Sequence, residues 1–222
     1  MFLRREFQRL ISAWNPVTDF FALLNEPRRP WSDPVSLKEK FVALSGDLHP
    51  DRVHNASEEV KQEAGWRYAE LNSAFATLAD PKNRVQHLLE LERGGPPPKI
   101  KPVPSQLMEM FMQIGGLLGQ VDRFLAERAL VTSPMVKVQM FARGQEWADL
   151  ISSRQKALNE TRDHLLRKLE EMNPRWDSAP APGAPDREAA LPTNDLEEIY
   201  QVFGFITKWQ NELLERMVRL AF

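Results

Sequence analysis

The sequence predicts an all-α protein built from two helical parts, and three observations carry that prediction. Two amphipathic segments, residues 36–48 and 57–78, flank the polar run Leu48-His49-Pro50-Asp51-Arg52. Three further long segments of helical periodicity fill the chain beyond residue 105. Between the two groups, Gly94-Gly95-Pro96-Pro97-Pro98 together with Pro102 and Pro104 makes a semi-rigid spacer of the kind that separates domains. Two antiparallel helices joined at a polar loop would hold His49, Pro50 and Asp51 in solvent, as a recognition tip.

Each element of the first part has its own signals. Over residues 1–14, Phe2, Leu3, Phe7, Leu10, Ile11 and Trp14 make an apolar face opposite Arg4, Arg5 and Arg9. This amphipathic extension is expected to pack as a short helix; organelle presequences share its arginine-rich pattern, but Glu6 and the short length argue against one. Asn15-Pro16 breaks it, and Thr18 is expected to cap a short helix over residues 18–25. Pro27, Pro30 and Pro34 stiffen a surface loop over residues 26–35. Ser36 and Glu39 have the spacing of a capping box. Leu37, Phe41, Leu44 and Leu48 then lay one apolar stripe along a helix, which Pro50 stops by disfavouring helical geometry at His49. Tyr68, Leu71, Phe75 and Leu78 form the matching stripe on the next helix. Asp80-Pro81 starts a last short helix to residue 91, with the acid as N-cap and the proline at the first helical position.

In the second part, Ser105 is expected to cap a helix carrying Leu107, Met108, Phe111, Met112, Leu117, Leu118, Val121 and Leu125. Gly115, Gly116 and Gly119 interrupt it; each disfavours helix by up to about 1 kcal/mol relative to alanine, and such glycines commonly mark a close helix approach or a bend. Ser133-Pro134 opens a long helix expected to end at Asn173-Pro174. Its buried side is read as Val138, Phe141, Trp147, Ile151, Leu158, Leu165 and Leu169. Residues 173–193, with Pro174, Pro180, Pro182, Pro185 and Pro192 among alanines, read as an extended loop with little core of its own. Asn194 and Glu197 have capping-box spacing ahead of a final helix bearing Leu196, Ile199, Val202, Phe203, Ile206, Trp209, Leu213, Leu214 and Met217. Three long helices with proline-bounded connections predict an antiparallel three-helix bundle over residues 105–222.

Composition bounds the chemistry. At 222 residues, with 42% hydrophobic and 27% charged residues, the chain can bury a core and keep a solvated surface. A net charge of −2 gives no reason to expect nucleic-acid binding. There is no cysteine, so disulfides, thiolate-held iron–sulfur clusters and cysteine zinc sites are excluded. No apolar run reaches the length of a membrane-spanning helix, and with no secretory signal the expected compartment is the cytoplasm, an organelle being the alternative.

The tripeptide His49-Pro50-Asp51 gains its meaning from its context. Asp19-Phe20-Phe21-Ala22-Leu23-Leu24 precedes the proline loop. After the tripeptide come Leu71-Asn72-Ser73-Ala74-Phe75-Ala76-Thr77-Leu78, then Asp80-Pro81, then Arg84 followed by Leu88-Leu89. Residues 15–93 resemble a J domain, and the order of these motifs resembles the HscB type, the J-protein co-chaperones of iron–sulfur cluster assembly. The resemblance implies an N-terminal J domain, a helical hairpin with the His-Pro-Asp loop at its tip, then the linker 94–104 and the C-terminal bundle. It implies an Hsp70-family chaperone as partner, HscA-like or general, docked through His49, Pro50 and Asp51 with Arg52, Lys40 and Lys38 on the adjoining helix face. It also implies an iron–sulfur scaffold protein of the IscU type as client, bound by an apolar patch of Leu107, Met108 and Phe111 with Phe205 from the last helix. No cofactor and no metal are implied.

Physical chemistry fits that assignment to the tip. Asp51 can accept from a cationic partner group, His49 offers ring donors, and Pro50 preorganises the turn so that less entropy is lost on docking. Two departures stand beside it. Gly46 and Asp47 occupy positions where the family commonly has basic or polar residues, and Met112 and Gly115 stand where acidic residues border the client patch. An adaptor that keeps the J fold without activating an Hsp70, or a J-protein for a different client, is the alternative reading. Catalysis by the chain itself is not expected. His49 and Asp51 have no nucleophile or oxyanion hole near them in sequence, and His54, His87 and His164 lack metal-ligand spacing and read as surface or edge residues.

Overall fold

The computed structural model describes residues 17–46, 48, 52, 57–98 and 102–221. Among the described residues the regular elements are helices, without a strand: α1 (Phe20–Leu23), α2 (Pro34–Gly46), α3 (Glu58–Ala79), α4 (Pro81–Arg93), a 3-10 turn (Ser105–Leu107), α5 (Met108–Ala129), α6 (Pro134–Asp177), α7 (Arg187–Ala190) and α8 (Thr193–Ala221). The all-α expectation holds. The chain divides into two compact units, residues 1–97 with 172–193, and residues 98–171 with 194–222.

In the first unit, α2 and α3 pack as the expected hairpin, with Leu37, Leu71, Ala74 and Leu78 buried and the rings of Phe41 and Phe75 stacked at 4.5 Å. α1 and α4 close the core with Phe21, Leu24, Val85, Leu88 and Leu89. Two caps differ from expectation. Asp19, not Thr18, caps α1, its Oδ1 accepting the N–H groups of Phe21 and Ala22 at 3.0 and 3.2 Å. Asp33, not Ser36, caps α2, accepting the Ser36 N–H at 3.0 Å, which lets Pro34 sit where a missing N–H costs nothing. Asp80 caps α4 as expected, through the Asn83 N–H at 2.8 Å. Gly94 ends that helix in the left-handed region at φ 70°, a conformation that disfavours any side chain with a Cβ.

The proline loop between α1 and α2 is less superficial than its composition suggests. Glu26 and Ser32 are buried. The amide of Asn173 closes a two-way bridge with the backbone of Trp31, donating to its carbonyl and accepting its N–H, both at 3.0 Å. Helix α6 runs past Pro174 to Asp177. A proline in a final turn forfeits one backbone bond, and here the buried Trp176 and the bridged Asn173 hold that turn in place. Arg187 grips Glu92 with two bonds of 2.7 Å, both side chains buried. Leu191 is buried as well, so residues 178–192 are tied down and do not form a loose excursion.

The second unit is the antiparallel bundle of α5, α8 and the part of α6 up to residue 171. Ile114, Leu117, Val121 and Phe124 of α5 meet Ile151, Leu158, Leu165 and Leu169 of α6 and Leu196, Phe203, Ile206 and Leu213 of α8 in its core. Near the start of α6 the buried stripe is Met140 and Gly144; Val138 and Phe141, expected inside, are exposed. A Cβ on Gly144 would stand 3.8 Å from Phe124, whose ring comes close to that turn. Gly115, Gly116 and Gly119 do not mark a close approach, because all three are exposed and nothing lies within 4 Å of a Cβ built on any of them. Replacing Gly116 with Ala should therefore raise the unfolding free energy by up to about 1 kcal/mol through helix propensity alone. Urea unfolding followed by circular dichroism checks this, and a loss of stability would show that the position has a packing role.

Candidate functional site

The helices α2 and α3 bracket the segment that contains the tripeptide. α2 ends at Gly46 and α3 starts at Glu58, capped by Ser57, whose Oγ accepts the Val60 N–H. His49, Pro50, Asp51 and Asp47 lie outside the described residues; Leu48 is half-buried and Arg52 exposed. Lys38 is exposed on α2. Lys40, two positions on, does not share its face. Its Nζ donates to the buried carboxylate of Glu26 at 2.8 Å and to the Asn25 carbonyl at 3.0 Å. Lys40 thus works first as a tie between α2 and the proline loop. The exposed face that Lys38 occupies also carries Val35 and Val42 at helical spacing.

At the start of α5 the four residues of the expected apolar patch separate. Leu107, in the 3-10 turn, points into the core. Met108 and Phe111 are exposed, as is Met112 one turn on. Phe205, on α8, is half-buried. Phe111 and Phe205 flank a common neighbour, Trp209, with ring centroids at 6.3 and 5.7 Å. Trp209 is buried, so it forms the floor and the two phenylalanines the rim of an aromatic patch. Sequence periodicity assigned Trp209 to the core stripe; its place one turn from Phe205 was the available signal that it also supports the patch.

Two kinds of relatives resemble the chain. The chain is 42% identical over 60 residues to the co-chaperone protein HscB homolog of Shewanella halifaxensis, and 36% identical over 73 residues to that of Chromobacterium violaceum. The crystal structure of human co-chaperone protein HscB matches the fold with a TM-score of 0.54 and 19% identity, covering 90% of this chain and 82% of that one. The chain is similar to the HscB co-chaperones. In sequence the likeness to HscB is partial: the matches take in 27% and 33% of this chain, and the chain spans 34% and 42% of the length of these curated relatives. No family model matches the chain. Among the described residues no cluster of three or more His, Asp or Glu side chains could hold a metal ion, and no helix is long and apolar enough to cross a membrane.

His87 departs from its reading as a surface or edge residue. On α4 of this HscB-like fold it is 4% exposed, and its ring stacks against Phe20 at 4.6 Å. Its Nε2 accepts the Phe20 N–H at 3.1 Å, which requires that nitrogen to be unprotonated. Nδ1 stands 4.0 Å from Glu90. Burial lowers the pKa below the usual imidazole value, the charges of Glu90 and Asp19 opposing it only in part. A folded-state pKa below the unfolded one means that the unfolded chain binds more protons in between, so stability is lost as pH falls from about 6.5 through the lowered value. Urea unfolding at pH 7.5 and pH 5.5 should show this loss in the wild type and a smaller one in His87→Gln, whose amide oxygen can still accept the Phe20 N–H. Equal pH dependence in both proteins would assign the loss to other groups.

Proposed function

We propose that the chain is an HscB-like J-protein co-chaperone that stimulates the ATPase of an Hsp70 partner and presents to it a client, an iron–sulfur scaffold protein of the IscU type. The observation that carries this reading is the likeness to HscB relatives in a chain whose sequence holds His49-Pro50-Asp51 between α2 and α3. In the proposal that tripeptide triggers the partner, with Lys38 and Arg52 beside it and Lys40 holding α2 to the proline loop. Met108, Phe111 and Phe205 receive the client over the floor made by Trp209, and Leu107 supports them from beneath. The chain performs no catalysis of its own in this reading, and the cytoplasm is its proposed compartment.

A second reading, an adaptor with a J fold and no Hsp70 activation, is favoured by one observation. The ammonium of Lys40 is already paired with Glu26, which leaves α2 with less uncompensated positive charge than a basic docking face requires.

Steady-state ATPase of an iron–sulfur-specialised Hsp70 and of a general one, titrated with the chain, separates the two. Saturable stimulation of the specialised chaperone, abolished in His49→Gln with unchanged helicity, is the expected result. Silence with both chaperones in a folded sample supports the adaptor.

Client binding has its own test. Phe111→Ser and Phe205→Ser should each weaken scaffold binding by about tenfold, the effect of losing roughly 1.4 kcal/mol at an aromatic anchor. Isothermal titration measures this, with ATPase stimulation in the absence of client retained. Undiminished binding in both variants would remove the patch from the client site.

A further inference from the structure

The end of the bundle at the α5–α6 turn carries several exposed large apolar side chains. Leu130 is 84% exposed, Met135 75%, Val138 72% and Phe141 62%, all within twelve residues of the α5–α6 turn. Solitary exposed apolar residues need no explanation, but a contiguous group does. Here Phe141 lines a cleft of about 660 Å³, a size suited to a side chain or two from a partner. Leu125, Ala129, Phe141 and Val218 supply its apolar lining, and Lys137 and Arg219 stand at its edge. Arg128 braces the wall, donating to the Leu220 and Arg219 carbonyls at the end of α8.

The charged side chains that line the cleft are all cations. Lys137 has no ion-pair partner among the described residues. Arg128 meets only carbonyls. Of the carboxylates nearby, Glu127 pairs with Arg143 at 3.3 Å, and Asp122 takes Arg216 at 3.2 Å and also Arg219 at 3.4 Å, which leaves Lys137 and Arg128 as the uncompensated cations of the lining. An apolar cleft edged by cations is complementary to an apolar side chain flanked by carboxylates. A second copy of the chain is a poor fit, since a two-fold contact would bring together two clefts lined by the same cations. An anionic lipid surface is a poor fit as well, because membrane-recruiting segments gather about four to eight basic residues on a protruding face, whereas this site is concave with three.

We propose that the cleft between the last turns of α5 and α8 and the first turns of α6 docks an acidic amphipathic segment of a partner protein, inserting a bulky apolar side chain against Phe141 and Val218 with a flanking carboxylate on Lys137. The site is separate from the Trp209 patch, which lies at the first turn of α5, and does not depend on how that patch functions.

Selection from a displayed library of random 16-residue peptides on the full chain, with counter-selection on Phe141→Asp, tests it. The expected consensus is one or two of Leu, Ile, Phe or Trp with flanking Asp or Glu. Synthetic peptides of that consensus should lose at least tenfold in affinity on Phe141→Asp and about threefold to tenfold on Lys137→Glu, and should weaken as salt rises from 50 to 500 mM. Both positions are exposed, so both variants should melt like the wild type. The proposal is overturned by a basic or uncharged consensus, or by peptides indifferent to Phe141→Asp. It is equally overturned if phosphatidylglycerol vesicles bind instead, or if the chain shows a concentration-dependent doubling of mass, where either is lost in that variant.

Discussion

The buried guanidinium of Arg84 holds the first unit in register. Its Nε donates to the Pro30 carbonyl at 2.9 Å and its Nη1 to the Leu78 carbonyl at 2.7 Å. Leu78 lies in the last turn of α3, where carbonyls lack intrahelical donors, and Pro30 lies in the loop that feeds α2. One side chain on α4 therefore fastens the beginning of α2 to the end of α3. Burial lowers its pKa to about 10, with Asp80 and Glu26 opposing the shift, so it stays charged at neutral pH. The same loop is held by the Lys40–Glu26 pair and the Asn173 bridge, and the Phe41–Phe75 stack carries the alignment along the hairpin. The register of α2 against α3 is thus set by polar bonds at the base of the hairpin, where the surroundings are dry enough for each to matter.

What could be read from the sequence and what could not divide along physical lines. Local signals gave the hairpin and the bundle: the stripes on α2, α3 and α8 and the Asp80-Pro81 start are properties of neighbouring residues. The failures needed information from distant ones. Asp19 and Asp33 displaced Thr18 and Ser36 as caps because the loop geometry aims their carboxylates at the first-turn amides. His87 is buried because Phe20, far away in sequence, covers it. The proline-rich stretch 173–193 looked unsupported because its anchors, Glu92 for Arg187 and Trp31 for Asn173, lie 95 and 142 residues upstream. Val138 and Phe141 fitted a buried stripe in α6, yet the helix turns Met140 and Gly144 inward, since Phe124 fills the space against Gly144.

The aromatic patch was legible only in part for a related reason. Periodicity treats an apolar stripe as having one side, the core. On α5 and α8 the stripe is wide enough to have an edge, and Trp209 sits where floor and edge meet. Phe111 and Phe205 then do two things, covering Trp209 and facing solvent. Such residues look like core in sequence and like surface in structure, and their loss removes contact area without opening a cavity.

The ion pair between Lys40 and Glu26 also bears on how the hairpin could meet a partner. A paired cation presents a dipole, whose field falls off faster than that of a free charge, so Lys40 contributes little to steering at a distance. On the outer face of α2, Lys38 stands between exposed Val35 and Val42. A partner approaching this face would be held at short range, by apolar contact around a single cation, more than it would be drawn in from afar. Association would then be slower and less salt-dependent than with a strongly basic helix, and selectivity would rest on shape. The same residue that stiffens the hairpin therefore limits its electrostatic reach, because Lys40 cannot hold the proline loop and remain a free docking charge.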